Sequence, residues 1–354
     1  MPTIKEVSEL ARVSQATVSR VMNGSDRVTE PTRKRVMEAM KALGYRPNSA
    51  AQSLASNRSN SIGMVVSQLD GPFYGPMMAG VEDTLRQAHK HLIIAAGHGE
   101  AAAEEEAIEF LINRQVDGLI LLVERLDANY LLPLNERVPT FLINHHIKGL
   151  RNQSVWIDNL NGGYQATRYL IEQGHSRIAC ITGQIWKQDA IDRLEGYKKA
   201  MNEAGLPIDD NWIVNSYFEV PGGIEAFDTL QARRVDCTAV FATNDELAFG
   251  VMEAASEAGI VVPDDLSVIG FDDVLTATYV KPKLTTMHFP MFDMASSAAR
   301  MALQWIYQKR PPAELAFQPT LVERQSVKPL TPSPSGRSDA LAEQLLLSPK
   351  HPEK

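Results

Sequence analysis

Cysteines, secretory features and long apolar runs are scarce or missing in this chain of 354 residues. The only cysteines, Cys180 and Cys237, stand far apart, which favours a reducing compartment over a disulfide scaffold. The N-terminus lacks the basic start and apolar stretch of a signal peptide, and no apolar run approaches the ~20 residues that span a bilayer. We therefore expect a soluble, cytoplasmic protein with no membrane partner.

Signatures of the common α/β enzymes are missing as well. The sequence contains no G-x-G-x-x-G fingerprint, no Walker A motif and no G-x-S-x-G elbow. His89, His91, His145 and His146 lack a carboxylate or cysteine at metal-ligand spacing. These absences argue against a sugar kinase or a dehydrogenase, and we expect no catalytic residues, no metal and no cofactor.

Charge is unevenly distributed along the chain. The formal net charge is −8, but residues 1–60 hold ten Lys/Arg against five Asp/Glu, so the remaining residues carry −13. A basic module joined to an acidic body is the electrostatic footprint of a local DNA contact. The hydrophobic content of 44% suffices for a sizeable core, and the length predicts two or three domains.

The first 23 residues have the pattern of two short helices around a tight turn. Thr3 and Glu6 form a capping-box pair, and Ser14 is placed to cap the second helix. A helix-turn-helix reads bases from the start of its second helix, although an ordinary helical hairpin shares the pattern. The outer face near that start carries Gln15, Ala16, Thr17, Ser19 and Arg20.

A third helix and a short linker follow. Residues 31–43 predict a helix that Thr29 caps and Gly44 ends. Asn48 can cap a further short helix, too short to be stable alone in water, which should form only when another contact orders it. The residues of the third helix expected to face inward are Val36, Met37, Met40 and Leu43.

From residue 61 strand-like and helical segments alternate. Nine continuous apolar runs between residues 62 and 289 alternate with amphipathic helices, which predicts parallel sheets covered on both faces. Two doubly wound subdomains with a cleft between them suit this order, and ligands bind such folds outside the carboxyl ends of the strands. Ser67 and the predicted turn at 70–76 follow the first strand, so Ser67 is a candidate for the cleft.

The N-terminal helices and the linker, which we call the headpiece and hinge, resemble the lactose/galactose repressor family, and the resemblance extends to about residue 328. It implies a helix-turn-helix headpiece and hinge helix, joined to a two-subdomain, doubly wound core like that of periplasmic sugar-binding proteins. The carrying stretches are TIKEVS at 3–8, VSQATVSRVMN at 13–23, GYRPNSAAQSLA at 44–55, LTTMHFPMFDMA at 284–295 and PTLVERQSV at 319–327.

The resemblance implies a homodimer on a near-palindromic operator, with one recognition helix in each of two successive major grooves. Gln15, Ala16 and Arg20 should read bases. Leu54 matches the family's wedge leucine, which kinks the duplex from the minor groove; the alternative is that Leu54 packs against the core. Phosphate or register contacts are expected from Thr3, Ser14, Thr17, Thr32 and Asn48, and Ser19, Asn23, Tyr45 and Ala51 complete the DNA-binding set.

The resemblance also implies an effector site in the cleft. Arg193 matches the family's effector-binding arginine, whose planar fork can bridge two vicinal hydroxyls, and Asp192 is its candidate partner. Phe73 and Tyr74 match an aromatic pair that stacks on sugar rings, unless they belong to the core. The other matches are Phe218, Asn244, Asp272 and, more weakly, Asn161; the neighbouring Asp245 and Asp273 are expected to cap helices or turns.

Together these observations predict a sugar-responsive transcription factor, most simply a repressor that a galactose-like hexose or a β-glucoside releases from its operator. A corepressor-dependent regulator and a non-regulatory sugar-binding protein are the alternatives. We expect a dimer, because the apolar stretch at 340–347 is too short for a firm coiled coil. The predicted boundaries are 1–46 for the headpiece, 47–60 for the hinge helix and linker, 61–328 for the effector-binding and dimerisation core, and 329–354 for a disordered tail.

Overall fold

The computed structural model describes residues 2–22, 27–45 and 58–330. The predicted hinge helix, the segment 331–354 and the candidate residues Asn23, Asn48, Ala51 and Leu54 lie outside these ranges. The N-terminal ranges hold three helices, which are α1 (Ile4–Ala11), α2 (Gln15–Met22) and α3 (Glu30–Leu43).

The three helices share a small apolar core. Val7, Val18 and Val36 are fully buried in it. Met37, which was expected to face inward, is 54% exposed; that expectation was wrong, and Ala39 fills the inner face instead. The capping box of Thr3 and Glu6 is confirmed, and Gly44 ends α3 in the left-handed conformation, as predicted.

Six strands form the first sheet of the core, and all neighbouring strands are parallel. Its four inner strands are largely buried because helices cover both faces of the sheet, as the continuous apolar runs predict, whereas the two edge strands are partly exposed. The strands are β1 (Ser61–Val66), β2 (His91–Ala96), β3 (Gly118–Leu121), β4 (Thr140–Ile143), β5 (Ser154–Ile157) and β11 (Leu315–Phe317). They lie side by side in the order β11-β5-β4-β3-β1-β2. The covering helices are α4 (Gly71–Gln87), α5 (Ala101–Asn113), α6 (Ala128–Arg137) and α11 (Met291–Gln308).

The second sheet repeats this arrangement, except that one of its edge strands is antiparallel to its neighbour. Apolar residues of both sheets belong to one continuous cluster. The strands of the second sheet are β6 (Ile178–Thr182), β7 (Ile213–Asn215), β8 (Ala239–Ala242), β9 (Ser267–Asp272), β10 (Thr285–His288) and β12 (Thr320–Val322). They lie side by side in the order β12-β10-β9-β8-β6-β7, and β12 is the antiparallel strand. Its helices are α7 (Asn159–Glu172), α8 (Gln188–Glu203), α9 (Val220–Ala232) and α10 (Asp245–Glu257).

The chain passes between the two sheets three times. It crosses after β5, returns between β10 and α11, and crosses again between β11 and β12. Each half is therefore assembled from separate stretches of sequence. This architecture, with its N-terminal helices and two-sheet α/β core, confirms the predicted fold class.

One predicted local structure was wrong. The segment 70–76 was expected to be a turn, but it opens α4, which begins at Gly71. Pro72 fits there because a proline in the first turn has no hydrogen bond to lose, and the helix also accommodates Pro76. Within the described ranges, no helix is long and apolar enough to cross a membrane.

Candidate effector cleft and DNA-reading surface

A cavity of about 420 Å³ lies between the two sheets. Residues that follow the carboxyl ends of strands from both halves line it, as doubly wound folds predict. Ser67 follows β1, Asn144 follows β4, Phe218 follows β7, Asn244 follows β8, and Asp272 ends β9. The cavity is thus built by the ends of strands far apart in sequence.

Arg193 lies at the base of this cavity and is 2% exposed. Its Nε donates to Asn159 Oδ1 at 3.0 Å, and its Nη1 donates to the Thr243 carbonyl at 2.6 Å. Nη1 also lies 3.5 Å from Asp272 Oδ1. A buried guanidinium held by three oxygens is oriented before any ligand arrives, which reduces the entropy that binding costs.

Two glycines allow α7 and α8 to approach closely enough to place Arg193 there. A Cβ at Gly163 would lie 2.1 Å from the Arg193 carbonyl oxygen, and a Cβ at Gly196 would lie 2.2 Å from the Leu160 carbonyl oxygen. Any side chain at either position would push the helices apart. The sequence D-R-L-E-G-Y therefore specifies both the arginine and the close contact that supports it.

The Asp272 carboxyl is almost completely buried beside Arg193. Burial raises its pKa well above the usual value, and the charge of Arg193 partly opposes that rise. The backbone of Asp272 has φ +116°, in the region that disfavours residues with a side chain. This geometry turns the chain sharply at the end of β9, directly at the cavity.

Aromatic rings form another part of the wall. Phe73 and Tyr74 line the cavity, with their ring centroids 5.3 Å apart at an interplanar angle of 89°. Phe73 also contacts Phe289 edge-on and packs against the main core. The two rings are half-buried, so they pack against the core and also face the cavity, and their stacking on a sugar stays a prediction.

Two expectations about helix capping were wrong. Asn244 caps α10, because its Oδ1 accepts from Leu247 N at 2.9 Å. Asp245 instead accepts hydrogen bonds from Thr286 Oγ1 and Val274 N inside the core. Asp273 does not cap a turn; it pairs with Arg324 and His288. Asn244 stands at the N-cap, from where its side-chain oxygen reaches the amide of Leu247, whereas Asp245 is already inside the helix.

Two predicted effector residues do not line the cavity. Asn161 donates from Nδ2 to Gln318 Oε1 at 3.0 Å, close to the crossing between the sheets. Asp192 accepts from Gln188 Nε2 at 2.7 Å and is not hydrogen-bonded to Arg193, whose partners are described above. The other predicted members, Ser67, Phe73, Tyr74, Arg193, Phe218, Asn244 and Asp272, all line it.

The outer face of α2 offers polar side chains near its N-terminus. Gln15, Ala16 and Arg20 are exposed, and Thr17 and Ser19 are half-buried. Ser14 Oγ accepts from Thr17 N at 3.1 Å, which confirms its capping role. Thr3 uses its hydroxyl in the α1 cap, while Thr32 and Tyr45 are half-buried on α3 and just after it. A helix-turn-helix reads bases from the start of its second helix, and the contacts of these side chains with DNA stay a prediction.

Comparison with known proteins agrees with both parts of this description. The family model "Bacterial regulatory proteins, lacI family" matches residues 3–48, and "Periplasmic binding protein-like domain" matches residues 167–327. The HTH-type transcriptional regulator GalR of Escherichia coli strain K12 is 39% identical over 336 residues, which are 94% of this chain and 97% of GalR. The chain belongs to the lacI family of bacterial transcriptional regulators.

Solved structures of lacI-family regulators have the same fold. The transcriptional regulator CelR in complex with cellobiose is 31% identical, with a TM-score of 0.69 over 92% of this chain and all of CelR. The Lac repressor dimer bound to operator and the anti-inducer ONPF is 26% identical, with a TM-score of 0.83 over 92% of this chain and 99% of that one. The protein is accordingly a DNA-binding regulator and not an enzyme.

The structure adds cleft residues of this lacI-family regulator that the sequence alone did not indicate. Lys187 Nζ lies 2.8 Å from Glu124 Oε1, with 16% and 18% of their side chains exposed. The Arg125 guanidinium lies 3.3 Å from the ring centroid of Trp186. Glu124 and Arg125 follow β3, whereas Trp186 and Lys187 follow β6, so these contacts join the two halves across the cleft. Applying the carboxyl-end rule to every strand would have placed these four residues at the cleft, but it would not have indicated which of them pair.

Proposed function

We propose that this regulator is a homodimeric repressor of carbohydrate-utilisation genes, released from its operator by a neutral sugar such as galactose, a related hexose or a β-glucoside. The observation that carries the proposal is the buried Arg193, oriented beside Asp272 in a cavity with aromatic walls. A sugar presents vicinal hydroxyls to charged donors and acceptors and an apolar C–H face to aromatic rings.

Charge in the cleft supports a neutral ligand over a phosphorylated or acidic sugar. Among the lining residues, six carboxylates stand against three Arg/Lys side chains. Each of these cations already has a partner: Arg193 has Asp272, Lys187 has Glu124, and Arg125 stacks on Trp186 and donates to the Gly99 carbonyl. A phosphate would have to displace one of these contacts and would face an excess of negative charge.

The headpiece supports the DNA-binding half of the proposal. The exposed Gln15 and Arg20 can pair bidentately with adenine and guanine, and Ala16 can contact a thymine methyl. Effector binding then favours one relative arrangement of the two core halves, and the difference in sugar affinity between the arrangements determines how strongly the operator is released.

Calorimetry of the full chain against a panel of hexoses, glycosides and their phosphates tests the ligand class. We expect binding of a neutral sugar, no binding of its phosphate, and sugar-dependent release of a duplex selected by the protein from a random library. Arg193→Lys should weaken sugar binding about tenfold or more, because the bidentate fork is lost. Arg168→Lys, at an exposed Arg–Glu pair on α7, is the matched control and should bind normally.

Three outcomes would contradict parts of this proposal. Binding of the phosphate in preference to the neutral sugar would overturn the ligand class. Sugar that strengthens DNA binding would identify a corepressor-dependent regulator instead of an inducible repressor. Unchanged sugar affinity in Arg193→Lys would mean that the effector contacts other residues of the cleft.

A further inference from the structure

The chain enters the core at a compact polar site that we call the linker anchor, formed by Ser59, Asn60, Asp117 and Tyr307. The Asp117 carboxylate accepts from Ser59 N at 2.8 Å through Oδ1 and from Asn60 N at 2.9 Å through Oδ2. Tyr307 Oη donates to the same Oδ2 at 2.6 Å. One carboxylate therefore joins the incoming chain, the residue before β3 and the end of α11.

Cationic side chains strengthen this attachment. Arg58 donates from Nη2 to the Ile306 carbonyl at 2.8 Å, and its guanidinium lies 4.8 Å from the centroid of the Tyr307 ring. Lys90 Nζ lies 4.1 Å from the same centroid and donates to Asn60 Oδ1 at 2.5 Å. Hydrogen bonds to a charged group are stronger than neutral ones, so the ring and carboxylate hold residues 58–60 firmly.

This geometry determines the direction of the chain as well as its position. Two successive backbone amides donate to one carboxylate, and Asn60 takes φ +58° between them and β1. A chain held by two adjacent amides cannot rotate about its own axis without breaking one bond. The path towards the headpiece therefore begins from a defined point with a defined orientation.

We propose that Asp117 and Tyr307 are positioning residues for DNA binding, which set the point and direction from which the linker leaves the core. In a dimer, two such exits determine the separation of the two headpieces and hence the half-site spacing that the protein accepts. This inference rests on the proposed homodimer, which sedimentation of the wild-type chain tests separately. It does not depend on the identity of the sugar, because the experiment contains none.

Operator spacing provides the test. The probes are a duplex selected from a random library by the full-length wild-type chain and a copy with one base pair inserted at its centre. Wild type should bind the selected duplex at least about tenfold more tightly than the lengthened one, because the insertion rotates and shifts one half-site. Tyr307→Phe removes only the hydroxyl and keeps the ring beneath Arg58 and Lys90.

We expect Tyr307→Phe to bind the selected duplex about tenfold more weakly, the usual scale for one hydrogen bond to a charged group, and to lose most of the discrimination between the two spacings. The preference over a scrambled duplex should persist, because the headpiece is unchanged. Tyr164→Phe, which removes a tyrosine–carboxylate hydrogen bond to Glu203, is the matched control and should behave as wild type.

Two results would overturn the inference. One is that Tyr307→Phe discriminates between the selected and the lengthened duplex as strongly as wild type does. The other is a wild-type protein that does not distinguish the spacings at all. Asp117→Asn should reproduce the loss of discrimination, and if that variant fails to fold by circular dichroism, Tyr307→Phe alone decides.

Discussion

At the scale of single residues, the buried carboxyl of Asp245 has no cation in hydrogen-bond contact within the part of the chain that the structure describes. Thr286 Oγ1 and Val274 N donate to it, and it is fully buried at the start of α10. Burial raises its pKa to about 7, and the two hydrogen bonds only partly oppose that rise. The folded protein therefore holds a proton on Asp245 at a pH where the unfolded chain has lost it.

This shift predicts a pH dependence of stability. Because the folded pKa is raised above the usual 3.8, the contribution of Asp245 is most favourable below about pH 4 and declines as pH rises to about 7. In Asp245→Asn, the free energy of unfolding should no longer decrease over this pH range because of this residue. In wild type the decrease amounts to a few kcal/mol at most, on the scale of ~1.4 kcal/mol per pKa unit. Urea unfolding of both proteins between pH 4.5 and 7.5 measures the difference.

The control for that measurement is Asp209→Asn, at an exposed aspartate whose side chain accepts only from Asn211. It should keep the wild-type profile. If the curves of wild type and Asp245→Asn run parallel across the whole range, Asp245 has the same charge in the folded and unfolded chains, and folding does not raise its pKa.

At the scale of single elements, α2 illustrates what local sequence specifies well. The cap at Ser14 and the buried Val18 and Val21 lie within one short stretch of chain, so their roles follow from helical spacing alone. The same reasoning predicts the base-reading face by elimination, because the outer positions not needed for the core are Gln15, Ala16, Thr17, Ser19 and Arg20. Their contacts with DNA stay a prediction.

Arg20→Ala tests that face. We expect weaker binding to the selected duplex by one to two orders of magnitude and a relaxed preference at one base pair, because a bidentate arginine–guanine contact contributes roughly 1–3 kcal/mol of discrimination. Arg177→Ala, at an exposed arginine just before β6, is the control. A uniform loss on specific and scrambled duplexes alike would identify Arg20 as a phosphate contact instead.

Other elements were not predicted from the sequence, and the reason is physical. The strands β7, β11 and β12 have three residues each, and all three lie at sheet edges. So short a run carries no periodicity, and its conformation is set by a neighbouring strand far away in the chain. The start of α4 was missed because two prolines and two glycines resemble a turn, although tertiary packing allows them in a helix.

At the scale of the whole molecule, the two halves of the core touch across the cleft through side chains. The Lys187–Glu124 ion pair and the Arg125–Trp186 stack link β3 and β6, which belong to different sheets. Such pairs could not be predicted from sequence, because about 60 residues separate the partners and only the relative placement of the sheets brings them together. The predicted Arg193 could be found because its local motif is informative by itself.

These cross-cleft contacts should favour the arrangement that encloses a ligand. Glu124→Gln removes the negative charge of the Lys187–Glu124 ion pair, so the closed arrangement becomes less favourable. The sugar concentration for half-maximal operator release should therefore rise severalfold. A titration of the protein–operator complex with the sugar identified by calorimetry gives this midpoint.

Glu109→Gln is the matched control, because it breaks a bidentate pair with Arg137 within one half of the core. That variant should keep the wild-type midpoint. If both substitutions move the midpoint equally, loss of a surface charge and not the link across the cleft is responsible.

The three crossings of the chain have a consequence for how such proteins can diversify. The headpiece occupies one uninterrupted stretch at the N-terminus, so a single recombination event can join it to another core. Both halves of the core are interrupted in sequence. The first half includes α11 and β11, which follow β10 of the second half, and the second half includes β12, which follows β11. Exchanging one half intact would need several simultaneous breakpoints. DNA specificity is therefore a portable trait in this architecture, whereas the ligand cleft must change by substitution in place.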